Sequence, residues 1–346
     1  MSRPVHTLPK AHLHLHFTGS MRFTTLMELA EEQRIRLPQA LVSDWPPRLK
    51  GRDERGWFRF QRLYDAARSC VRSEETMRRV VREAAHDDAT EGSRWLEIQV
   101  DPTSYAPHVG GLGNALDIVL DEAKRVSDEG EIGVGVIVAA SRIRHPLDAR
   151  TLARLAARHA GDRPGDVVGF GLSNDERRGD TAEFEGAFRI ARNAGLAIVP
   201  HGGELLGPEA VRDTLEHASP DRIGHGVRSV EDPALLAEIV DRGITLEVCP
   251  GSNVGLGVYD TPFDVPLPTL VEAGAQIALG ADDPLLFGSR LADQYEIARS
   301  VHGFDDDALA GLARSSIEGS RAPQEIKSSA LADIDAWLAP ESTPER

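Results

Sequence analysis

Three histidines alternate with leucines near the start of the chain, in the order His12-Leu13-His14-Leu15-His16. Successive side chains of a β-strand point to opposite faces, so a strand here would turn all three imidazoles the same way. His14 and His16, nearest the end of the strand, could then reach one metal ion. His12 would lie roughly 6 Å or more deeper, and we expect it to be a hydrogen-bonded histidine of the interior. Any polar strand face can produce such a pair, so a metal site needs further ligands.

Three later motifs carry the further candidates. They read Pro200-His201-Gly202-Gly203-Glu204, Arg222-Ile223-Gly224-His225-Gly226 and Gly280-Ala281-Asp282-Asp283-Pro284. Each has an ordinary alternative, because the glutamate could lie on the surface and the two acids before a proline could begin a helix. Three imidazoles and one carboxylate would instead form a nitrogen-rich site suited to zinc, with an open position for water. In such a site we expect Glu204 to protonate the electrophile and His225 to orient or deprotonate the water.

The pattern of the whole chain predicts the fold that brings these motifs together. Eight short apolar runs alternate with longer amphipathic stretches, which indicates a closed (β/α)8 barrel. We predict strands at residues 10–16, 95–101, 133–140, 167–173, 196–201, 222–225, 244–249 and 276–282. A doubly wound sheet would favour a glycine-rich phosphate loop after the first strand, and none is there. The motifs fall at the C-terminal ends of strands one, five, six and eight, where barrel enzymes have their active sites.

Composition narrows the class of protein. The chain has 346 residues, 41% of them hydrophobic, and a formal net charge of −16. This charge argues against a nucleic acid or an anionic membrane surface as partner, because both attract basic patches. Two cysteines, Cys70 and Cys249, are too few for a disulfide framework, so a reducing cytoplasm is the expected location. We find no signal peptide and no apolar run near the roughly 18 residues of a membrane span.

We expect one domain over residues 1–346, with a helical insertion at about 17–94 between strands one and two. Apolar residues recur there at helical spacing: Trp57, Phe58, Phe60, Leu63 and Tyr64. Such spacing fits ordinary core packing and fits equally a lid that encloses a substrate.

In combination, the motifs resemble the adenosine deaminase family of the amidohydrolase superfamily. The likeness runs nearly end to end, through residues 8–16, 201–204, 222–226, 249–253, 281–284 and 322–327. It implies that one zinc ion is bound by His14, His16, His201 and Asp282. It also implies that Glu204 protonates purine N1 as water adds to C6, that His225 positions and activates this water, and that Asp283 hydrogen-bonds N7. Ammonia then leaves.

The sequence departs from the family pattern at the end of the site that faces the sugar. Thr18 stands where the family usually has an acid, Gln99 where it has arginine and Asn174 where it has glycine. In adenosine-specific members the acid contacts the ribose 5′-hydroxyl. Residues 16–22 resemble instead the members that act on 6-amino-6-deoxyfutalosine, a menaquinone precursor with an aromatic carboxylate at its 5′ end. We therefore favour this substrate over adenosine and free adenine, and expect Thr18 and Asn174 to contact it.

The carboxylate of that substrate needs a cationic partner. We expect it among three arginines that follow strand one, Arg22, Arg59 and Arg62, although each could equally be a solvated surface residue.

Two other classes compete with deamination. Barrel hydrolases of esters, lactones or phosphoesters usually bridge two metals through a carboxylated lysine, and no lysine stands at the end of strand four. A binding protein on a deaminase scaffold would have lost a ligand or the acid, whereas all six positions are intact. The cysteine-ligated zinc deaminases are excluded because their P-C-x-x-C motif is absent.

Overall fold

The computed structural model describes residues 2–49, 51 and 53–340. Eight parallel strands follow one another around a single barrel. They are β1 (Lys10–His16), β2 (Ser93–Val100), β3 (Gly133–Ser141), β4 (Val167–Ser173), β5 (Ala197–Gly202), β6 (Arg222–His225), β7 (Thr245–Val248) and β8 (Ile277–Leu279). Hydrogen bonds of 3.0 Å from Asp282 N to the His14 carbonyl and from His16 N to the Asp282 carbonyl close the barrel. The predicted (β/α)8 barrel is confirmed.

The largest difference from the predicted strands is at β8, which ends at Leu279 rather than at 282. A Cβ atom on Gly280 would lie 2.7 Å from the His14 Cβ, so only glycine lets β8 pass this close to β1. Asp282 then takes a left-handed backbone with φ 60°, which is outside the extended region. The regular strand therefore ends just before the two acids. The turn that follows determines the direction in which their side chains point.

Sixteen α-helices occur in the described residues, and the first four lie between β1 and β2. They are α1 (Phe23–Glu32), α2 (Gln39–Val42), α3 (Glu54–Arg68), α4 (Glu74–Thr90), α5 (Ala106–Val109), α6 (Leu112–Asp128), α7 (Pro146–Arg158), α8 (Glu185–Asn193), α9 (Pro208–Ala218), α10 (Pro233–Asp241), α11 (Pro250–Gly255), α12 (Leu267–Glu272), α13 (Pro284–Phe287), α14 (Leu291–Ser300), α15 (Asp306–Gly319) and α16 (Gln324–Leu338). None of these helices is both long enough and apolar enough to cross a membrane.

Helix α3 begins where the Asp53 side chain accepts a 2.7 Å hydrogen bond from Gly56 N, which satisfies one free donor of the first turn. Its buried residues Trp57, Phe60 and Leu63 recur at spacings of three, so one face of the helix packs toward the barrel. Phe58, on the opposite face, is 64% exposed. The aromatic segment is thus a packed helix whose inner face lies over the barrel.

The interior below the strand ends is filled and polar in places. His12 is buried; its Nδ1 lies 2.9 Å from Asp88 Oδ2 and its Nε2 accepts from Ala281 N at 3.0 Å. Both ring nitrogens are used, so His12 is the interior histidine we expected. Lys10 lies at the other end of β1 and donates to the carbonyls of Val5 and Leu8 at 3.1 and 2.6 Å. Burial lowers its pKa to about 7.

Candidate active site

Three imidazoles and a carboxylate meet where β1, β5 and β8 end. His16 Nε2 lies 3.2 Å from His201 Nε2 and 3.2 Å from Asp282 Oδ1. His14 Nε2 lies 3.6 Å from the same Asp282 oxygen. One ligand atom from each of His14, His16 and His201 falls within 4.8 Å of the others, and the same holds for His14, His225 and Asp282. The structure therefore brings together every residue that the resemblance placed around a metal.

This donor set fits a divalent metal ion. His14 Nε2 is buried and has no hydrogen-bond partner in the described residues, although it points into the cluster. Two ring nitrogens, of His16 and His201, face each other at 3.2 Å, as ligands of a common ion do. Three imidazole nitrogens with one carboxylate oxygen are donors that zinc accepts. The left-handed φ values of Asp282 (60°) and His225 (63°) are strained for residues other than glycine, and such strain is concentrated at functional sites.

A buried chain of charged groups holds His14 in place. Its Nδ1 lies 2.7 Å from Glu247 Oε2, and the other Glu247 oxygen accepts from Arg222 Nε at 2.7 Å. Arg222 also pairs with Glu97, and all of these side chains are at most 2% exposed. Although burial opposes it, Arg222 and His14 hold the pKa of Glu247 below its usual range. A carboxylate on the far nitrogen fixes the tautomer of a ligand histidine, so Nε2 is left free to bind a metal.

Small neighbours let the ligands converge. A Cβ on Gly224 would lie 3.0 Å from His14 Cε1 and 3.1 Å from His201 Nδ1, so a larger residue at this position of β6 would crowd both rings. Ser252 Oγ donates to Asp282 Oδ2 at 2.5 Å and so fixes the carboxylate whose other oxygen faces the histidines. Arg142 donates to the carbonyl of His201 at 2.8 Å and holds the end of β5.

Glu204 lies on a loop that a second carboxylate anchors. Glu176 Oε2 accepts the backbone N–H groups of Glu204, Leu205 and Leu206 at 3.1, 2.6 and 2.9 Å. The Glu204 side chain is itself buried, and its Oε1 lies 3.6 Å from His225 Nε2. Burial, reinforced by the charges of Asp282 and Glu176, raises the pKa of Glu204 well above its usual value. This carboxyl group is suited to carry a proton that it can donate.

His225 and Asp283 are the other two titratable groups at this edge. Burial lowers the pKa of His225 to about 3, so its imidazole is neutral near pH 7. Burial, with the charge of Asp282, raises the pKa of Asp283 well above its usual value. Asp283 Oδ1 has no hydrogen-bond partner in the described residues. A Cβ on Gly19 would fall 1.8 Å from this oxygen, so glycine there leaves Asp283 free to meet a ligand.

A cavity of about 350 Å³ opens above these groups. Its floor contains His16, His201, Glu204, His225, Asp282 and Asp283. The inner face of α3 forms one wall with Trp57, Phe60, Gln61, Tyr64, Asp65 and Arg68. The ends of β2 to β4 and the loops after them add Gln99, Asp101, Tyr105, Ser141, Arg144 and Asn174. Helix α3 therefore packs its inner face toward the barrel, and the same face forms one wall of the cavity.

The residues expected at the sugar end are only partly in contact with this cavity. Asn174 lines it, with a left-handed φ of 84°. Thr18 is fully buried and does not line it; its Oγ1 lies 2.5 Å from Tyr105 Oη, and Tyr105 is the residue that faces the cavity. Thr18 therefore lies behind Tyr105 and does not itself face the cavity.

The three arginines expected to pair with a substrate carboxylate need correction, because none of them lines the cavity. Arg22 is engaged with Asp87, at 2.5 Å between Nη2 and Oδ1. Arg59 and Arg62 are exposed on the outer face of α3. The arginines that do line the cavity are Arg68 and Arg144.

Sequence reasoning also missed Glu247, Glu97 and Glu176 as supporting residues. The signal was present for the first two, because each is the only acid of its strand, and a buried acid is rare unless it is paired.

Comparison with known proteins places the whole chain in one family. The family model "Adenosine deaminase" matches residues 9–337. A "Putative adenosine/adenine deaminase" of Streptomyces virginiae is 62% identical over 337 residues, covering 97% of this chain and 98% of that protein. An "Adenine deaminase" of Mesorhizobium japonicum is 35% identical over 94% of this chain and 98% of its own length. The solved adenine deaminase of Arthrobacter aurescens superposes with a TM-score of 0.86 at 28% identity, covering 95% and 99% of the two chains. The chain therefore belongs to the adenosine deaminase family of the amidohydrolase superfamily and is a hydrolytic deaminase.

Proposed function

We propose that this deaminase removes the 6-amino group of an adenine nucleoside with one zinc ion, and that its preferred substrate is 6-amino-6-deoxyfutalosine. The observation that carries the proposal is a single cavity edge at which a metal-type donor cluster meets two buried carboxyl groups of raised pKa, Glu204 and Asp283. One of these can protonate a ring nitrogen and the other can hydrogen-bond a second ring nitrogen. Adenine offers both, since N1 and N7 are acceptors.

His14, His16, His201 and Asp282 would hold the ion, which when bound supplies an activated water and stabilises developing negative charge. Glu204 donates its proton to N1, and this makes C6 electrophilic toward the water. His225, neutral because it is buried, accepts the proton that the water loses. Asp283 donates to N7, which a carboxyl group can do only when it is protonated. The proton held by His225 then goes to the amino group, which leaves as ammonia with the electron pair of the C6–N bond. The hydroxyl group left at C6 returns its proton to Glu204 as the C6–O double bond of the product forms, so both residues regain their starting protonation states.

The shape of the cavity supports a substrate that is larger than the adenine ring. Beyond the floor, the cavity continues between the aromatic residues of α3 and the loops after β2 and β3, and two arginines line it there. An aromatic carboxylate at the 5′ end of a nucleoside has the right chemistry for this part. Adenosine and free adenine are the alternative substrates, and the second is the one named for the relatives from Mesorhizobium and Arthrobacter.

A substrate panel tests the proposal. We expect ammonia release from aminodeoxyfutalosine with a higher kcat/KM than from adenosine, adenine or 5′-methylthioadenosine. The physical reason is that only the first of these carries a carboxylate for the arginines that line the cavity. If adenosine or adenine were preferred by tenfold or more, the substrate assignment would be wrong and the deaminase assignment would stand.

We expect one metal ion per chain by elemental analysis. Glu247→Gln should weaken the affinity for zinc by about 10–100-fold, which is typical when a residue that hydrogen-bonds the far nitrogen of a ligand histidine is lost. Chelator competition measures this affinity without recourse to turnover.

Glu238→Gln, an exposed change on α10, is the matched control and should leave the affinity unchanged. Two metals per chain would contradict the site, and an unchanged affinity in Glu247→Gln would contradict the role assigned to Glu247.

A further inference from the structure

Resting on the proposed function, we propose that the outer half of the cavity is a specificity subsite for an anion. In it, Arg144 and Arg68 bind the carboxylate at the far end of the substrate, and Gln99 hydrogen-bonds a hydroxyl group of the sugar between that carboxylate and the adenine ring.

Gln99 is the first element of this subsite. It lies on β2 opposite His16 of β1, next to the donor cluster, and it lines the cavity while only 2% exposed. Neither the oxygen nor the nitrogen of its amide has a hydrogen-bond partner in the described residues. Buried polar groups are rarely left unpaired, because each unmade bond destabilises the fold. A hydroxyl group both donates and accepts, so a sugar hydroxyl can satisfy either end of this amide.

Arg144 supplies positive charge in the outer half of the cavity, which we call the mouth. It follows β3, and its backbone N–H donates to the Ser141 carbonyl at 3.0 Å. Arg142, two residues earlier, turns inward to the His201 carbonyl, whereas the Arg144 side chain lines the cavity. Arg144 makes no ion pair with any carboxylate in the described part of the chain. In a protein with 55 acidic and 39 basic residues, an arginine left without an acid at a cavity is available to an anionic ligand.

Arg68 faces the same space from the last turn of α3. Its guanidinium lies 4.7 Å from the centre of the Tyr64 ring, a cation–π distance that holds it against the wall. Its one ion pair among the residues that the structure describes, 3.1 Å from Nη1 to Asp65 Oδ1, involves a carboxylate that is 61% exposed. A guanidinium has five N–H donors, so this pair leaves donors for a ligand. Phe60 and Tyr64 in the same wall give an aromatic ring on the substrate a surface to pack on.

Two acids at the mouth act mainly on Arg68. Asp65 forms an ion pair with it, and the charge of Asp101, whose Oδ1 also accepts hydrogen bonds from Thr103 N and Oγ1 at 3.0 and 2.5 Å, favours the protonated form of Arg68 as well. Arg144 is therefore the group at the mouth whose positive charge is least neutralised by nearby carboxylates.

The experiment compares aminodeoxyfutalosine with its methyl ester, which keeps the shape of the substrate and removes its charge. In the wild type we expect kcat/KM to be about tenfold higher for the acid than for the ester. This ratio is at the low end of what a hydrogen bond to a charged group contributes, because solvent and salt screen the charge at the mouth. Arg144→Gln and Arg68→Gln should each reduce this ratio to about threefold or less. Arg62→Gln, on the outer face of the same helix, is the matched control and should keep the wild-type ratio. Gln99→Leu should lower kcat/KM for acid and ester by the same factor.

Binding of the two deaminated products, acid and ester, is measured in parallel by calorimetry, so that the subsite can be judged without turnover. Equal binding of acid and ester by the wild type would overturn the subsite, as would Arg144→Gln and Arg68→Gln variants that behave like Arg62→Gln. If no adenine compound released ammonia, the proposed function would fail, and the calorimetric ratio would still decide the subsite.

Discussion

Replacing Glu204 with glutamine should leave one metal ion per chain and lower kcat by about 10²–10⁴-fold, the usual contribution of a positioned general acid. Glutamine keeps the volume of the side chain and its contact with the cavity, but it has no acidic proton to give to N1. The loop should keep its conformation, since Glu176 holds it through backbone N–H groups rather than through the Glu204 side chain. The measurement is kcat on the best substrate of the panel, together with metal content.

The matched control is Glu209→Gln, an exposed change in the first turn of α9 a few residues further along the chain. It should alter neither the metal content nor kcat. A Glu204→Gln enzyme within tenfold of the wild type would show that another group protonates the ring. Loss of metal from Glu204→Gln would show instead that Glu204 belongs to the ligand set.

The barrel and its donor cluster could be predicted because both depend on short-range regularities. A strand repeats every two residues, so His14 and His16 must share a face, and parallel strands bring their C-terminal ends to one rim. The end of β8 could not be read in this way. The turn that re-aims Asp282 depends on the close approach of Gly280 to His14, which lie far apart in the sequence.

The error over the arginines has a geometric reason. At 100° per residue, Arg59 lies about 200° around α3 from Trp57 and Arg62 about 140°, whereas Arg68 lies only about 20° away. Only the residues that share a face with Trp57 can line the cavity. The sequence shows this spacing, but it does not show which face of the helix turns toward the barrel, because that depends on packing between distant segments.

Thr18 illustrates the same limit. Its position after the metal histidines is local information and was predicted, but its environment depends on Tyr105, which lies 87 residues later in the chain. Glu247, Arg222 and Glu97 are likewise joined only across the barrel interior. Contacts of this kind depend on the fold as a whole, so a periodic pattern in the sequence cannot predict them.

Two adjacent acids should respond in opposite ways to the same substitution. Asp282→Ala should lose the metal and nearly all activity, because its Oδ1 is the oxygen that faces the histidine nitrogens at 3.2 and 3.6 Å. We expect its affinity for zinc to fall by more than the roughly 10–100-fold that follows the loss of an outer partner. Asp283→Ala should keep the metal and lower kcat/KM by about tenfold, since it removes one hydrogen bond to the purine.

Asp283→Asn separates this hydrogen bond from a merely structural role. An amide N–H can still donate to N7, so the asparagine variant should recover most of the kcat/KM that alanine loses. Recovery would also agree with the raised pKa of Asp283, because it means that the native group donates rather than accepts. An Asp283→Ala enzyme without metal, beside an Asp282→Ala enzyme that retains it, would reverse the two assignments. An asparagine variant as slow as alanine would show that Asp283 acts as a charged carboxylate, and the donor to N7 would have to be sought elsewhere in the cavity.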